Sequence, residues 1–264
     1  MQDVAYWDRV LEQTQEDPFW LPDDAYIVER PELMVLHSNR DVPYLNAVVR
    51  VRAQERELSA IVGEVLTLHH GVRSRWCLSP NNRSDELERI LGEYGYKAGE
   101  MADGYVMPVD DYRPKNNDFF TAKRVEELEG FRDFESVTIR AFGQGERLSD
   151  EQAREDLVRC TGPDARVIRV VVYDRQSGEA LSSGGMNVYP SLKFGFLWAG
   201  ATLPHARGRG AYSALVSARI DIARSLGLEA VGLYAITHTS APIVAAQGFL
   251  KCGRLTMWER GLKT

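Results

Sequence analysis

The chain of 264 residues combines 44% hydrophobic with 27% charged residues, the balance of an ordinary globular protein long enough for two moderate domains. No apolar run approaches the ~20 residues of a membrane-spanning helix, and residues 1–9 lack the basic start and apolar core of a secretion signal, so no membrane partner and a cytoplasmic location are expected. A net charge of −6 without a basic stripe argues against nucleic acid as a ligand.

In chain order, Val4, Trp7 and Leu11 sit at helical spacing within 3–15, and Pro18 with the Trp20–Asp24 cluster ends that helix. Strands are predicted at Leu33–His37 and Asn46–Val51, and a helix from Leu58 to His69 stopped by Gly71. A strand over Arg73–Leu78 follows, then a helix capped by Ser84 that ends at Gly95-Tyr96, then a strand from Tyr105 towards Asp110. Residues 113–134, with Pro114, Asn116, Asn117 and a helical stretch Thr121–Leu128, read as a connector. Beyond it the pattern predicts a strand at Ser136–Phe142, a helix near Asp150–Val158, and a hairpin of Val167–Tyr173 with Ala180–Val188. A strand at Phe194–Leu203, a helix over 211–226 with Gly227 at its end, a strand at Glu229–Ile236, a helix at Ser240–Gln247 and a strand at Cys252–Trp258 complete the chain. This is an α/β chain.

The two halves partly repeat. Arg75–Leu78 leads through Gly95-Tyr96 to Tyr105–Val109, as Gly232–Ala235 leads through Gly248-Phe249 to Leu255–Trp258, each after a long helix. An internal duplication accounts for this, although chance likeness between two α/β halves does so too. Residues 1–130 carry 15 basic and 25 acidic residues, net −10, whereas the remainder carries 17 and 13, net +4. The basic half holds the stretch that matters most, Phe194 to Leu215: an apolar strand, a glycine-containing loop and a helix start. A helix N-terminus leaves its first N–H groups unpaired and partly positive, and Gly208 and Gly210 allow close backbone approach, so the stretch suits a phosphate. No Gly-Lys-Ser/Thr follows, as a nucleoside-triphosphate loop requires, and Ser213 occupies the third-glycine position of a dinucleotide fingerprint.

Arg207-Gly208-Arg209-Gly210-Ala211-Tyr212 resembles the Gln/Arg-x-x-Gly-x-Gly/Ala loop of the GCN5-related N-acetyltransferases (the GNAT family). Thr202-Leu203-Pro204 is similar to the Val-x-Pro that closes their fourth strand, and Ala241–Phe249 to their fourth helix and its Gly-Phe end. The resemblance implies two tandem lobes of mixed, mostly antiparallel sheets flanked by helices: a degenerate lobe at 1–115, a linker at 116–133 and an acetyltransferase lobe at 134–264. It implies acetyl-CoA as cosubstrate and a small-molecule or peptide amine as acceptor. The N–H groups of Arg207, Gly208, Arg209, Gly210, Ala211 and Tyr212 would take the coenzyme A pyrophosphate, the backbone of Ala201, Thr202 and Leu203 the pantetheine arm, and Thr237 would stand beside it. The chain departs from the pattern at Tyr212, usually a small residue, at Val244, where many members carry a proton-donating tyrosine, and at Thr237, often asparagine. The Phe194–Leu203 strand has no carboxylate to act as base.

His238, after a strand end, is a candidate acid or base, and Tyr234 a candidate proton donor; a turn residue and a core aromatic are the plain alternatives. His205 is either an exposed loop residue or a cofactor contact, and Tyr189 a possible substrate-lining residue. His69-His70 has no ligand partners at metal spacing, and the odd, scattered Cys77, Cys160 and Cys252 suggest buried thiols, so no metal is expected. Two further readings stand beside acetyl transfer: a module that binds or senses acyl-CoA without efficient chemistry, and acyl transfer from a charged tRNA, against which the acidic first half speaks.

Overall fold

The computed structural model describes residues 3–114, 118–162 and 164–261. The first stretch runs α1 (Val4–Gln15), β1 (Ala25–Arg30), β2 (Leu33–Ser38), β3 (Ala47–Val51), α2 (Glu55–Leu68), β4 (Ser74–Leu78), α3 (Asp85–Glu93) and β5 (Lys97–Pro108). The second runs β6 (Phe120–Arg124), α4 (Leu128–Phe142), α5 (Asp150–Val158), β7 (Val167–Asp174), β8 (Ala180–Tyr189), β9 (Phe194–Thr202), α6 (Ala211–Ser225), β10 (Ala230–Ile236), α7 (Ala241–Ala246) and β11 (Leu250–Arg260). None of the described helices is long and apolar enough to cross a membrane.

The helix starts follow from their caps. Asp3 accepts the Tyr6 N–H at 2.7 Å to open α1, and Ser84 accepts the Leu87 N–H at 3.1 Å to open α3. At the far end of α6, Gly227 lies at φ 71°, and the Leu228 N–H reaches the Ala223 carbonyl at 3.0 Å. That is the glycine-terminated wrap the sequence suggests.

Three local readings change. Ser136–Phe142 is the second half of α4, not a strand: Phe131, Phe134 and Val137 recur at helical spacing and are all buried, which outweighs the β-branched run Val137-Thr138-Ile139. Within the expected connector, Phe120–Arg124 is an edge strand pairing Phe120↔Asp174 to Arg124↔Val170 rather than part of a helix. Asn116 and Asn117 lie outside the described residues. The exposed β1, with its weak alternation, carried no signal in the sequence and is held by pairing with β2, Ala25↔Ser38 to Arg30↔Leu33.

By packing, the chain forms two compact units that interleave in sequence: Met1–Tyr105 with Tyr234–Ala246 and Leu250–Thr264, and Val106–Leu233 with Gln247–Phe249. In the first unit the strand order is β1-β2-β3-β4-β11-β5. Here β3 and β4 are parallel through the crossover helix α2, and β11 joins β4 antiparallel from Thr256↔Leu78 to Arg260↔Ser74. Its core centres on Trp76, Val62 and Leu91, each fully shielded. In the second unit the order is β10-β9-β8-β7-β6. β9 and β10 are parallel through α6, and Phe131, Phe134 and Val171 form a core against α4 and α5.

Candidate functional site

The site is built in the second unit where β9 leaves its neighbours. Against β8 the register runs Tyr189↔Phe194 to Gly185↔Trp198 and resumes at Ser183↔Ala201, so β9 spends one more residue than β8 across the gap. This is a β-bulge at Ala199–Gly200, and Ala199 takes the left-handed φ of 47°, rare for a residue with a side chain. On the other side, β10 matches β9 only over Ala230–Gly232 against Phe194–Phe196. Leu197–Thr202 therefore continue past the parallel register, presenting a strand edge on which an extended ligand can add as another strand.

After β9, Leu203 donates to the Leu181 carbonyl at 2.9 Å and its side chain is buried. A single 3-10 turn at Pro204–Ala206 then brings the chain to Arg207. Gly208 at φ 73° and Gly210 at φ 100° make the two left-handed steps that start α6, and a Cβ at Gly208 would meet open space. Gly210 supplies no side-chain cap and the first turn of α6 holds no acidic residue, so its N–H groups stay available to an anion. The side chains of Ala201, Leu203 and Ala211 are buried, leaving only their backbone to offer. Thr202 Oγ1 is 2.9 Å from Ser182 Oγ.

The basic side chains of the loop are engaged locally. Arg207 donates through Nε to the Thr202 carbonyl at 3.2 Å, Arg209 pairs with Asp174 at 3.2 Å, and His205 Nε2 lies 3.4 Å from Glu179. Asp174 and Glu179 flank the turn between β7 and β8, so that turn and the loop are tied together. Asp174 accepts the N–H groups of Gln176 and Ser177, which, with Arg209, hold its carboxyl below the usual range. Tyr212 does not fill the loop. Its ring crosses Gly200, where a Cβ would come within 3.1 Å of it, and its hydroxyl faces the Arg219 guanidinium.

The other named residues belong to the first unit. Thr237 directs both its N–H and its Oγ1 to the Met101 carbonyl at 3.0 Å, and His238 is exposed in the turn that follows β10. The Tyr234 hydroxyl is shielded from solvent. Burial, reinforced by Glu12 and Asp8, raises its pKa well above that of a free phenol, which disfavours proton release. Tyr234 lines a small cavity of about 50 Å³ with Glu12, Arg50, Cys77 and Asn81. Elsewhere in the second unit, Tyr189 stacks under Arg166 at 5.5 Å and is 1% exposed, a core position. Val244 of α7 is buried. Sequence reasoning missed the bulge and the buried Arg219; the adjacent Gly184-Gly185 inside a strand pattern was the signal for close approach there.

Comparison with known proteins follows the same lines. Residues 132–253 match the profile of the acetyltransferase (GNAT) family, which spans the bulge, the loop and α7. No curated protein matches the chain by sequence. Among solved structures, a GCN5-related N-acetyltransferase from Kribbella flavida aligns over 100% of this chain and 97% of its own, with TM-score 0.74 and 13% identity. A second, from Sphaerobacter thermophilus, covers 100% and 96% with TM-score 0.64 and 16% identity. A tandem GNAT protein from the clavulanic acid biosynthesis pathway covers 99% and 96% with TM-score 0.64 and 11% identity. The fold is thus the α/β fold of the GNAT acetyltransferases, with a mixed sheet and flanking helices.

Proposed function

We propose that this chain is an N-acyltransferase that moves an acetyl group from acetyl-CoA to an amine, on a small molecule or a peptide, by direct attack. The observation that carries the reading is the uncapped, acid-free N-terminus of α6, reached one short turn after the open edge of β9. A diphosphate on the N–H groups of residues 207–212 would replace water at partly positive donors, each charge-assisted bond contributing roughly 1.5–3 kcal/mol. The pantetheine arm would pair along Ala201–Leu203, and Arg207 and Arg209 add positive charge beside the phosphates. Acetyl-CoA supplies the activated thioester; the protein orients it, and a backbone N–H of β9 at the bulge would polarise the acyl carbonyl. His238 and Tyr234 remain the proposed proton-handling residues; burial keeps the Tyr234 phenol protonated, which excludes it as the base.

The chain is read as two tandem lobes, 1–115 and 134–264 joined by 116–133. In support, β3–α2–β4–α3–β5 repeats the order of β9–α6–β10–α7–β11, each opening with a parallel pair around a crossover helix. The α2 start differs in the way a degenerate lobe would. Gln54 and Glu57 close it with a capping box, and Glu55 and Glu57 place two carboxylates where a diphosphate would sit. Three buried free cysteines accord with a reducing, cytoplasmic setting.

Acyl-CoA binding without chemistry is the second reading, favoured by the buried Val244 and by the lack of a carboxylate on β9. Calorimetry with acetyl-CoA is expected to show micromolar affinity, and Gly210→Glu to abolish it by placing a carboxylate in the cradle; equal binding by the variant rejects the cradle. Thiol release measured against a panel of amines then separates the readings, since binding with silence across the panel selects the sensor.

A further inference from the structure

Among the described residues of the second unit, one arginine is sealed from solvent. Arg219 of α6 is 1% exposed. Its guanidinium donates from Nη1 to the Gly185 carbonyl at 3.1 Å and from Nε to the Leu215 carbonyl at 3.3 Å, and it interacts electrostatically with the Tyr212 hydroxyl. No carboxylate is among these partners. Desolvating a charge against neutral groups alone is expensive, and an apolar side chain of similar length would pack there at lower cost.

The surroundings are shaped for it. A Cβ on Gly184 would lie 2.9 Å from Nη1, and one on Gly200 would lie 3.1 Å from the Tyr212 ring and 3.6 Å from Nη2. Two adjoining strands thus give up side chains to admit this pair. The partners are placed to matter as well. Gly185 is the last β8 residue in register before the bulge, opposite Trp198; Gly200 is in the bulge; Tyr212 is in the first turn of α6. Arg219 thus reaches the bulge strands and, with Tyr212, the start of the helix.

Resting on the acyl-CoA reading above, we propose that Arg219 is a positioning residue that, through Tyr212 and the Gly185 carbonyl, locks the β9 bulge to the α6 N-terminus so that one acyl-CoA engages both. A ligand that needs only the helix N-terminus does not need the lock. One that spans both half-sites does.

The test titrates full-length protein with two probes, acetyl-CoA, which spans both half-sites, and ADP, which carries only the diphosphate and adenosine. For Arg219→Met, acetyl-CoA affinity is expected to fall at least tenfold while ADP affinity stays within threefold; Arg219→Lys recovers part of the loss. Tyr212→Phe, which keeps the ring and removes only the hydroxyl, is expected to weaken acetyl-CoA about threefold to fivefold with ADP unchanged. A merely structural arginine would lower both affinities in parallel, and that result, or acetyl-CoA binding within twofold of the parent, overturns the proposal. Should Arg219→Met fail to fold, Tyr212→Phe decides alone. A parent protein that takes up neither probe rejects the acyl-CoA reading itself, a failure distinct from that of Arg219.

Discussion

His69 is 1% exposed, with Nδ1 2.7 Å from Ser74 Oγ, Nε2 3.0 Å from the Leu36 carbonyl, and its ring stacked 5.5 Å from that of His37. Burial pushes its pKa down from 6.5 to about 4, and His37 is lowered by burial too. Between these values the unfolded chain binds a proton that the folded one refuses, so stability falls as pH drops from 6.5 towards 4 and the loss levels off below. The full shift corresponds to about 3 kcal/mol. Urea titrations at pH 7, 5.5 and 4.5 should show this decline, and His69→Gln should flatten it; an unchanged slope in the variant would assign the decline to other groups. From sequence alone His69-His70 only lacked metal partners. Its place under Leu36 depends on a strand some thirty residues away, which no local pattern reveals. Tyr212 is a similar case: its size looked like a defect in the loop, and only the missing side chain at Gly200 shows where the ring goes.

At the scale of the element, β8 and β9 are shaped by what their glycines omit. A Cβ on Gly185 would lie 2.2 Å from the Trp198 indole, which is anchored by its Nε1–H to Asn187 at 2.9 Å and packs edge-on against Phe134 at 6.0 Å. Gly185→Ala must move that ring or the bulge beside it. A loss of ~1–3 kcal/mol by urea unfolding is expected, with a shifted Trp198 emission; retained stability and emission would show that the strand yields freely. Of the elements, α6 was legible in full because its apolar stripe, its opening glycines and Gly227 all agree. α4 was half misread, because Val137-Thr138-Ile139 favours a strand locally while Phe131, Phe134 and Val137 bury a helical face. The edge strand β6 was hidden by its polar residues, which pairing with β7 makes acceptable.

Over the whole molecule, chain order and packing part company. β11, at 250–260, is the last strand in chain order, yet it pairs with β4 within the unit that holds residues 1–105. A chain ending at Phe249 should therefore lose the cooperative unfolding of the Trp76 core, read by near-UV circular dichroism and urea titration, although every fully buried residue of that core is present and only the flanking Trp258 is lost. Survival of that transition would make β11 dispensable. The sequence alone determined most of the alternation of helices and strands and the glycine loop opening a helix after an apolar strand. These are local, written in spacing, caps and turn chemistry within a few residues. The tertiary structure alone decided the bulge at Ala199–Gly200, the open edge of β9, the sealed Arg219 and the place of β11. Each depends on which strands become neighbours, and that choice is made by burial of side chains far apart in the chain rather than by any one stretch of it.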